Sequence, residues 1–275
     1  MSKLIIDISH HHKVKNWDKL EKNVSLLITK ITEGSTFVDP YVGTIVNECE
    51  KRKIPYFLYH YLRKGNVKNQ IGFYLKKVTD IKGKYFRGYC LDVEEDNSVK
   101  EAQEAVIELN KKVTDKCLFY FMYADYEKYK NVKLPNENKW AIWEARYGKN
   151  NGKYNSKYPC HSVTDLHQYS SVYTASWIDG GIDVNKLTGH KELSWFTNRK
   201  VSHKKPNVSH ETYFKKCSSK QTSLVDGLKE NGYQSSYSYR NKIAQLNGIT
   251  NYAGTAKQNT TLLAKLKAGK LAKPL

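Results

Sequence analysis

The 275-residue chain is long enough for one barrel-sized domain plus a small module, and its 12% aromatic content and short, regular apolar runs exclude a disordered chain. A formal net charge of +19 implies a polyanionic partner or environment, and both nucleic acid and phosphate- and carboxylate-rich wall polymers satisfy it. Five cysteines (Cys49, Cys90, Cys117, Cys160 and Cys217) without a CxxC pair argue against a disulfide scaffold and a zinc site, and favour synthesis in a reducing compartment.

At the N-terminus only three apolar residues precede Asp7, too few for a signal-peptide core, and no run approaches a membrane span. If the protein acts outside the cell, on a wall for instance, it must leave by lysis or with a helper. Apolar periodicity predicts strands at 4–9, 26–32, 55–62, 89–94, 117–123, 140–147, 166–170 and 181–184. Helical patterns at 40–52, 67–79 and 98–113 separate the early ones. The last of these starts with a capping box, Ser98 and Glu101, ahead of an apolar stripe through Ala102, Ala105, Leu109 and Val113. Alternating β and α units that give way to mostly β predict an α/β fold, an irregular (β/α) barrel of about eight strands over residues 1–187. A basic linker, 188–209, follows, with Lys191, Arg199, Lys200, Lys204, Lys205 and Pro206. Residues 210–275 then read as a small helical or mixed module, with apolar segments at 224–228, 243–246 and 262–271 separated by Asn231-Gly232, Asn247-Gly248 and Ala253-Gly254 turns.

Barrel enzymes collect their chemistry where parallel strands end. Asp7 ends the first predicted strand, Glu33 follows the second, Asp92 and Glu94 end the fourth, Glu144 lies in the sixth and Asp183 in the eighth. Strands one, four and eight are expected to bring Asp7, Asp92, Glu94 and Asp183 round one rim. Asp92 and Glu94 are two residues apart on a strand and share a face. Close carboxylates cannot both ionise cheaply, so one should hold a proton beside an ionised neighbour. Glycoside cleavage uses such a division: one carboxyl protonates the leaving oxygen, and negative charge stabilises the oxocarbenium-like transition state. The 21 tyrosines suit stacking on sugars or bases, although most will half-bury in strands.

The segments Leu4-Ile5-Ile6-Asp7-Ile8-Ser9, Ile28-Thr29-Lys30-Ile31-Thr32-Glu33-Gly34, Tyr59-His60-Tyr61, Leu91-Asp92-Val93-Glu94, Trp143-Glu144-Ala145-Arg146-Tyr147, Gln168-Tyr169-Ser170-Ser171 and Gly181-Ile182-Asp183-Val184-Asn185 resemble, in order and spacing, the signature segments of glycoside hydrolase family 25. The resemblance covers nearly all of 1–187. It implies a lysozyme of endolysin type that hydrolyses the β-1,4 bond between N-acetylmuramic acid and N-acetylglucosamine in bacterial peptidoglycan. It also implies Glu94 as general acid, Asp92 as the acid steadying the substrate N-acetyl group in a neighbouring-group mechanism, Asp7 and Asp183 as further cleft acids, and Tyr61, Trp143, Tyr147 and Gln168 as substrate-binding positions. Such substrate-assisted enzymes depart from the two-carboxylate scheme. Two features depart from the family pattern: Glu144 stands where an apolar residue is usual, and 172–179 lacks the usual glycines. Segments of 210–275, among them Ser223-Leu224-Val225-Asp226-Gly227-Leu228 and Gly254-Thr255-Ala256-Lys257-Gln258-Asn259, resemble a module found at the ends of phage and bacterial wall hydrolases and taken there to bind the wall.

His10-His11-His12 are expected as loop residues near the cleft mouth, because three adjacent histidines cannot all face one ion from a strand; no metal and no cofactor is expected. His60 between two tyrosines reads as a core residue. No HExxH, P-loop, GxSxG or GxGxxG motif is present. Two alternatives remain: a chitinase-like glycosidase on a similar barrel, and a basic non-enzymatic binding protein, which leaves four rim carboxylates unexplained. The expected partners are peptidoglycan and its associated anionic wall polymers, with no nucleic acid and no membrane insertion.

Overall fold

β-Branched and aromatic residues at alternating positions favour extended chain, and they build the first of two compact units, Met1–Val201 and Ser202–Leu275, in a computed structural model that describes residues 3–94, 97–198, 213–249 and 252–274. In chain order this unit contains β1 (Leu4–Ile8), α1 (Trp17–Asn23), β2 (Val24–Glu33), β3 (Phe37–Val38), α2 (Val42–Arg52), β4 (Tyr56–Tyr61), α3 (Val67–Ile81), β5 (Phe86–Asp92), α4 (Val99–Lys112) and β6 (Lys116–Met122). A 3-10 turn at Tyr123–Asp125 then runs into α5 (Tyr126–Tyr129), followed by β7 (Trp140–Ala145), β8 (Leu166–Tyr173), β9 (Ile182–Leu187) and α6 (Leu193–Thr197).

The sheet runs β1-β9-β8-β7-β6-β5-β4-β2, and pairing of β1 with β2 closes it into an eight-stranded barrel; β3 extends β2 as a short antiparallel appendage. The α/β barrel expected from the sequence is present. Its irregularity is now specific. β9 runs antiparallel to both β8 and β1, while the other barrel pairings are parallel. The 174–181 connection explains the reversal, because it is shorter than the dozen or so residues that a parallel crossover needs.

Strand alternation divides the apolar residues into two layers. Ile5, Leu26, Phe57, Cys90, Leu118, Ala141 and Leu166 point inward and fill the barrel. The opposite set, including Ile6, Leu27, Leu58 and Leu91, packs against helix residues such as Ile45, Ile71, Tyr74 and Val106. The capping box of α4 forms as expected, with Ser98 Oγ accepting from Glu101 N at 3.2 Å and Glu101 Oε2 accepting from Ser98 N at 2.8 Å. Gly88 leaves room at the base of β5, where a Cβ would lie 2.1 Å from the Lys116 carbonyl oxygen.

Part of the stretch expected as a linker is built into this unit. β9 continues to Leu187, and α6 inserts Phe196, fully buried, among the barrel residues, 6.4 Å from the Phe57 ring. Arg87 Nε donates to the Thr197 carbonyl at 2.7 Å and fixes the end of that helix. Among the surrounding lysines, Phe196 buries itself and Trp195 packs partly buried beside it. Residues 199–209, the rest of the expected linker, and 210–212, the start of the expected module, lie outside the described residues.

The second unit is helical: α7 (Leu224–Lys229), α8 (Tyr237–Leu246) and α9 (Ala256–Ala268). Ser223, Ser236 and Thr255 cap them, the last in a capping box with Gln258. Phe214, Leu224, Leu228, Ile243, Leu262, Leu266 and Leu271 form its own core.

Candidate active site

The inward face of each strand changes from apolar to polar near one end of the barrel. β1 contributes Asp7, β5 Asp92 with Glu94 just beyond it, and β9 Asp183 and Asn185. Asp183 reaches this rim for a reason the sequence reading did not contain. Because β9 is reversed, its beginning lies at the mouth, and Asp183 stands directly opposite Asp7 in the β1–β9 ladder. All four expected acids therefore sit on the same rim.

Asp7 rests on a lattice of amides. Gln168 Nε2 donates to its Oδ1 at 2.9 Å and lies 3.1 Å from Oδ2, and Asn185 Nδ2 donates to Oδ2 at 2.7 Å. The amide oxygens are used as well. Asn185 Oδ1 accepts from Trp143 Nε1 at 2.7 Å, and Gln168 Oε1 accepts from the Tyr147 hydroxyl at 2.9 Å and the Tyr120 hydroxyl at 3.1 Å. These donors fix both amide orientations. Burial pushes the Asp7 carboxyl up to about 6, held from going higher by hydrogen bonds from Asn185 and Gln168. Burial and repulsion from Asp7 push Asp183 up to about 9, and the two side chains are hydrogen-bonded to each other. The two acids therefore share a proton, and the amide donors around Asp7 favour its carboxylate form.

A second pair lies beside it. Burial, then the charge of Glu94, raises Asp92 well above the usual carboxylate range, with Lys30 opposing, and Asp92 is hydrogen-bonded to Glu94. The two carboxyls cannot both ionise cheaply at this separation, and burial favours a protonated Asp92. The Oδ1 atom of Asp92 is buried without a hydrogen-bond partner among the described residues.

Of the remaining expected positions, Tyr61 and Tyr147 are half-buried at the mouth. Trp143 and Gln168 are 2% and 3% exposed and support Asp7, Gln168 directly and Trp143 through Asn185. Glu33 forms ion pairs with Lys30 and with Arg63 (2.7 Å). Burial raises its pKa, but those two partners outweigh it and hold the carboxyl below its usual range. The Lys30 ammonium lies over the rings of Tyr61, at 5.0 Å, and Phe37, at 5.5 Å. Glu144 is fully buried and faces away from the barrel axis, accepting from the His161 ring at 2.9 Å, the His161 backbone N–H and the Thr164 hydroxyl. Its charge is thereby satisfied where the sequence pattern would have placed an apolar side chain. His161 is stacked between Tyr126 (3.7 Å) and Tyr123 (4.3 Å).

Sequence reasoning missed Asn185 and Tyr120. Asn185 was findable, since it lies two residues after Asp183 on the same strand; Tyr120 carried no signal beyond its alternation on β6. In the histidine run, His10 Nδ1 is 2.8 Å from buried Asp39, and His12 Nε2 is 3.1 Å from the Gly181 carbonyl oxygen. No group of three His, Cys, Asp or Glu among the described residues is placed to hold a metal ion.

The sequence profile of Glycosyl hydrolases family 25 matches residues 6–178, from within β1 through β8, with three of the four acids. The chain belongs to this family. Solved family-25 and endolysin structures share its fold at low identity. The catalytic domain of endolysin ply40 from bacteriophage P40 of Listeria monocytogenes aligns over 68% of this chain and 94% of that one, with a TM-score of 0.61 and 23% identity. A family 25 glycosyl hydrolase from Bacillus anthracis aligns over 70% and 92%, with a TM-score of 0.56 and 20% identity. Two relatives match only a short stretch. An L-alanyl-D-glutamate peptidase of Listeria phage A118 is 62% identical over 47 residues, 17% of either chain. An endolysin of Listeria phage A511 is 56% identical over 46 residues, 17% of this chain and 14% of that one. The family-25 chain thus matches about a sixth of the length of these two relatives.

Proposed function

We propose that this family-25 protein is an endolysin-type lysozyme that hydrolyses the β-1,4 bond between N-acetylmuramic acid and N-acetylglucosamine in peptidoglycan. The observation that carries the reading is the hydrogen-bonded Asp92–Glu94 pair at the mouth of the barrel, beside Asp7 and Asp183. A substrate N-acetyl N–H donated to the Asp92 carboxyl stabilises its carboxylate form, and the shared proton moves along the existing hydrogen bond to Glu94. Glu94 then protonates the leaving glycosidic oxygen as general acid. Asp92 orients the acetamido group so that its carbonyl oxygen attacks the anomeric carbon. Asp7, ionised on its amide lattice, supplies negative charge opposite the developing oxocarbenium ion. Asp183 holds its proton and leaves that charge on Asp7. Tyr61 and Tyr147 line the sugar path, and Trp143 and Gln168 support the floor beneath it.

The second unit, within 210–275, is assigned to wall binding. A 47-residue stretch of this chain is 62% identical to a peptidase, a chain of different chemistry, and we take it to lie in this unit, as a module carried between enzymes would. Tethering raises the catalytic unit's effective concentration at the wall without changing its chemistry. The net charge of +19 suits phosphate- and carboxylate-bearing wall polymers, and salt should weaken lysis by screening. No described helix is long and apolar enough to cross a membrane.

The test is mass spectrometry of borohydride-reduced products from purified peptidoglycan, with Glu94→Gln beside the wild type. Reduced N-acetylmuramic acid ends, lost by about 10²–10⁴-fold in the variant while wall binding persists, support the assignment. Reduced N-acetylglucosamine ends, turnover of chitin oligomers instead, or full activity of Glu94→Gln would overturn it.

A further inference from the structure

Beyond the acids, the rim continues into an aromatic ledge that none of the roles above uses. Phe37 is the one exposed phenylalanine among the described residues, 39% accessible on the two-residue strand β3. Its register places it. Phe37 pairs with Glu33, Glu33 with Tyr61 and Tyr61 with Asp92, so these residues stand at one level across four adjacent strands. Directly paired residues point to the same side of a sheet. Phe37 therefore shares the face of Tyr61 and Asp92. With strands about 4.8 Å apart, it sits roughly 14 Å along the rim from Asp92.

The ledge is held in place by its surroundings. Lys30 lies over the Phe37 and Tyr61 rings, and Arg63 lies over the Tyr61 ring at 4.6 Å. The His10 ring, fixed by Asp39, is 5.7 Å from the Phe37 ring, and the exposed His11 ring lies against His10 at 3.9 Å, tilted by 39°. The histidine run thus acquires a place: two of its three rings extend the surface of Phe37.

We propose that Phe37, with His10 and His11, forms a distal subsite that stacks on a sugar ring of the same glycan strand whose cleavage occurs at Asp92 and Glu94. This inference rests on the glycosidase reading. The occupant follows from continuity: the ledge lies on the face and level of the acids, too far away to touch the scissile bond and in line to meet the strand several sugars on. Aromatic faces suit the apolar faces of sugar rings. The two acids nearest the ledge, Glu33 and Asp39, are already engaged with Lys30, Arg63 and His10, so the surface presents rings rather than bare charge.

The test compares peptide-free peptidoglycan oligosaccharides, a tetrasaccharide and an octasaccharide, using the full chain. Only the longer substrate spans from the acids to the ledge. Phe37→Ala should lower the octasaccharide-to-tetrasaccharide ratio of kcat/KM about tenfold, equivalent to ~1.4 kcal/mol, chiefly through KM. Phe37→Tyr should keep the ratio, and His11→Ala should lower it in the same direction. A ratio unchanged in Phe37→Ala, or equal losses on both substrates, overturns the ledge and leaves the cleavage chemistry standing. Failure of the wild type to cleave either oligosaccharide overturns the glycosidase reading itself.

Discussion

Replacing Asn185 by leucine tests whether the amides beneath Asp7 set its charge. Leucine has nearly the same shape but can neither donate to Asp7 Oδ2 nor accept from Trp143 Nε1, both contacts of 2.7 Å. Losing a hydrogen bond to a charged group costs about 1.5–3 kcal/mol, and orphaning a buried donor about 1–3 kcal/mol. Allowing for relaxation, the variant should lose about 3–5 kcal/mol, a Tm fall on the order of 10 °C for a unit of this size. The two contributions separate with pH. Asp7 titrates at about 6 in the fold against an ordinary 3.8, so its contribution to stability is fully present below the ordinary value and is lost as pH rises through 6. Removing a donor that favours the carboxylate raises the folded pKa further. The extra instability therefore grows between about pH 4 and pH 7, whereas the orphaned Trp143 N–H contributes equally at every pH. Calorimetry at both pH values gives the first readout. The acid limb of kcat/KM on a soluble oligosaccharide gives the second, and it should move to higher pH. An equal Tm loss at pH 4 and pH 7 with an unmoved acid limb would refute the claim that Asn185 acts through the charge on Asp7.

Two further outcomes follow from the same proton and charge placements. With the shared proton on Asp183, Asp183→Asn should keep neutral-pH activity within about tenfold, whereas Asp7→Asn, which removes the carboxylate, should lose on the order of 10²–10³-fold; comparable losses in initial lysis rates would reverse the assignment. Glu144→Leu should destabilise by about 1–3 kcal/mol, because it leaves the buried Thr164 hydroxyl and the half-buried His161 without their acceptor, and the double variant Glu144→Leu, His161→Phe should recover part of that. Urea titrations that show no recovery in the double variant would mean the pair does more than fill the site.

Periodicity made the barrel legible because each strand alternates sharply between a core face and a helix-covered face. Depth along the barrel was not legible. Alternation assigns Trp143 and Gln168 to the inside but does not say whether an inward residue touches substrate or lies one layer beneath it. That depends on where each strand begins relative to its neighbours, a register set by closure of the whole sheet. The linker reading failed at Phe196 for a related reason: lysine-rich composition describes the solvent side of 193–197, while two aromatic rings decide where that helix goes. Asp183 shows how far a correct expectation can stand apart from its cause. It was expected on the rim as a strand-end acid, yet it begins its strand and reaches the mouth only because β9 is reversed. The reversal also sets its chemistry. A parallel β9 with Asp183 near its start would carry that carboxyl toward the barrel's other end, away from Asp7. Neither acid would then have a partner with which to share a proton, and the cleft would lose the neighbour that leaves Asp7 charged. The division of labour between these two acids is therefore a product of strand direction, which the short 174–181 connection imposes.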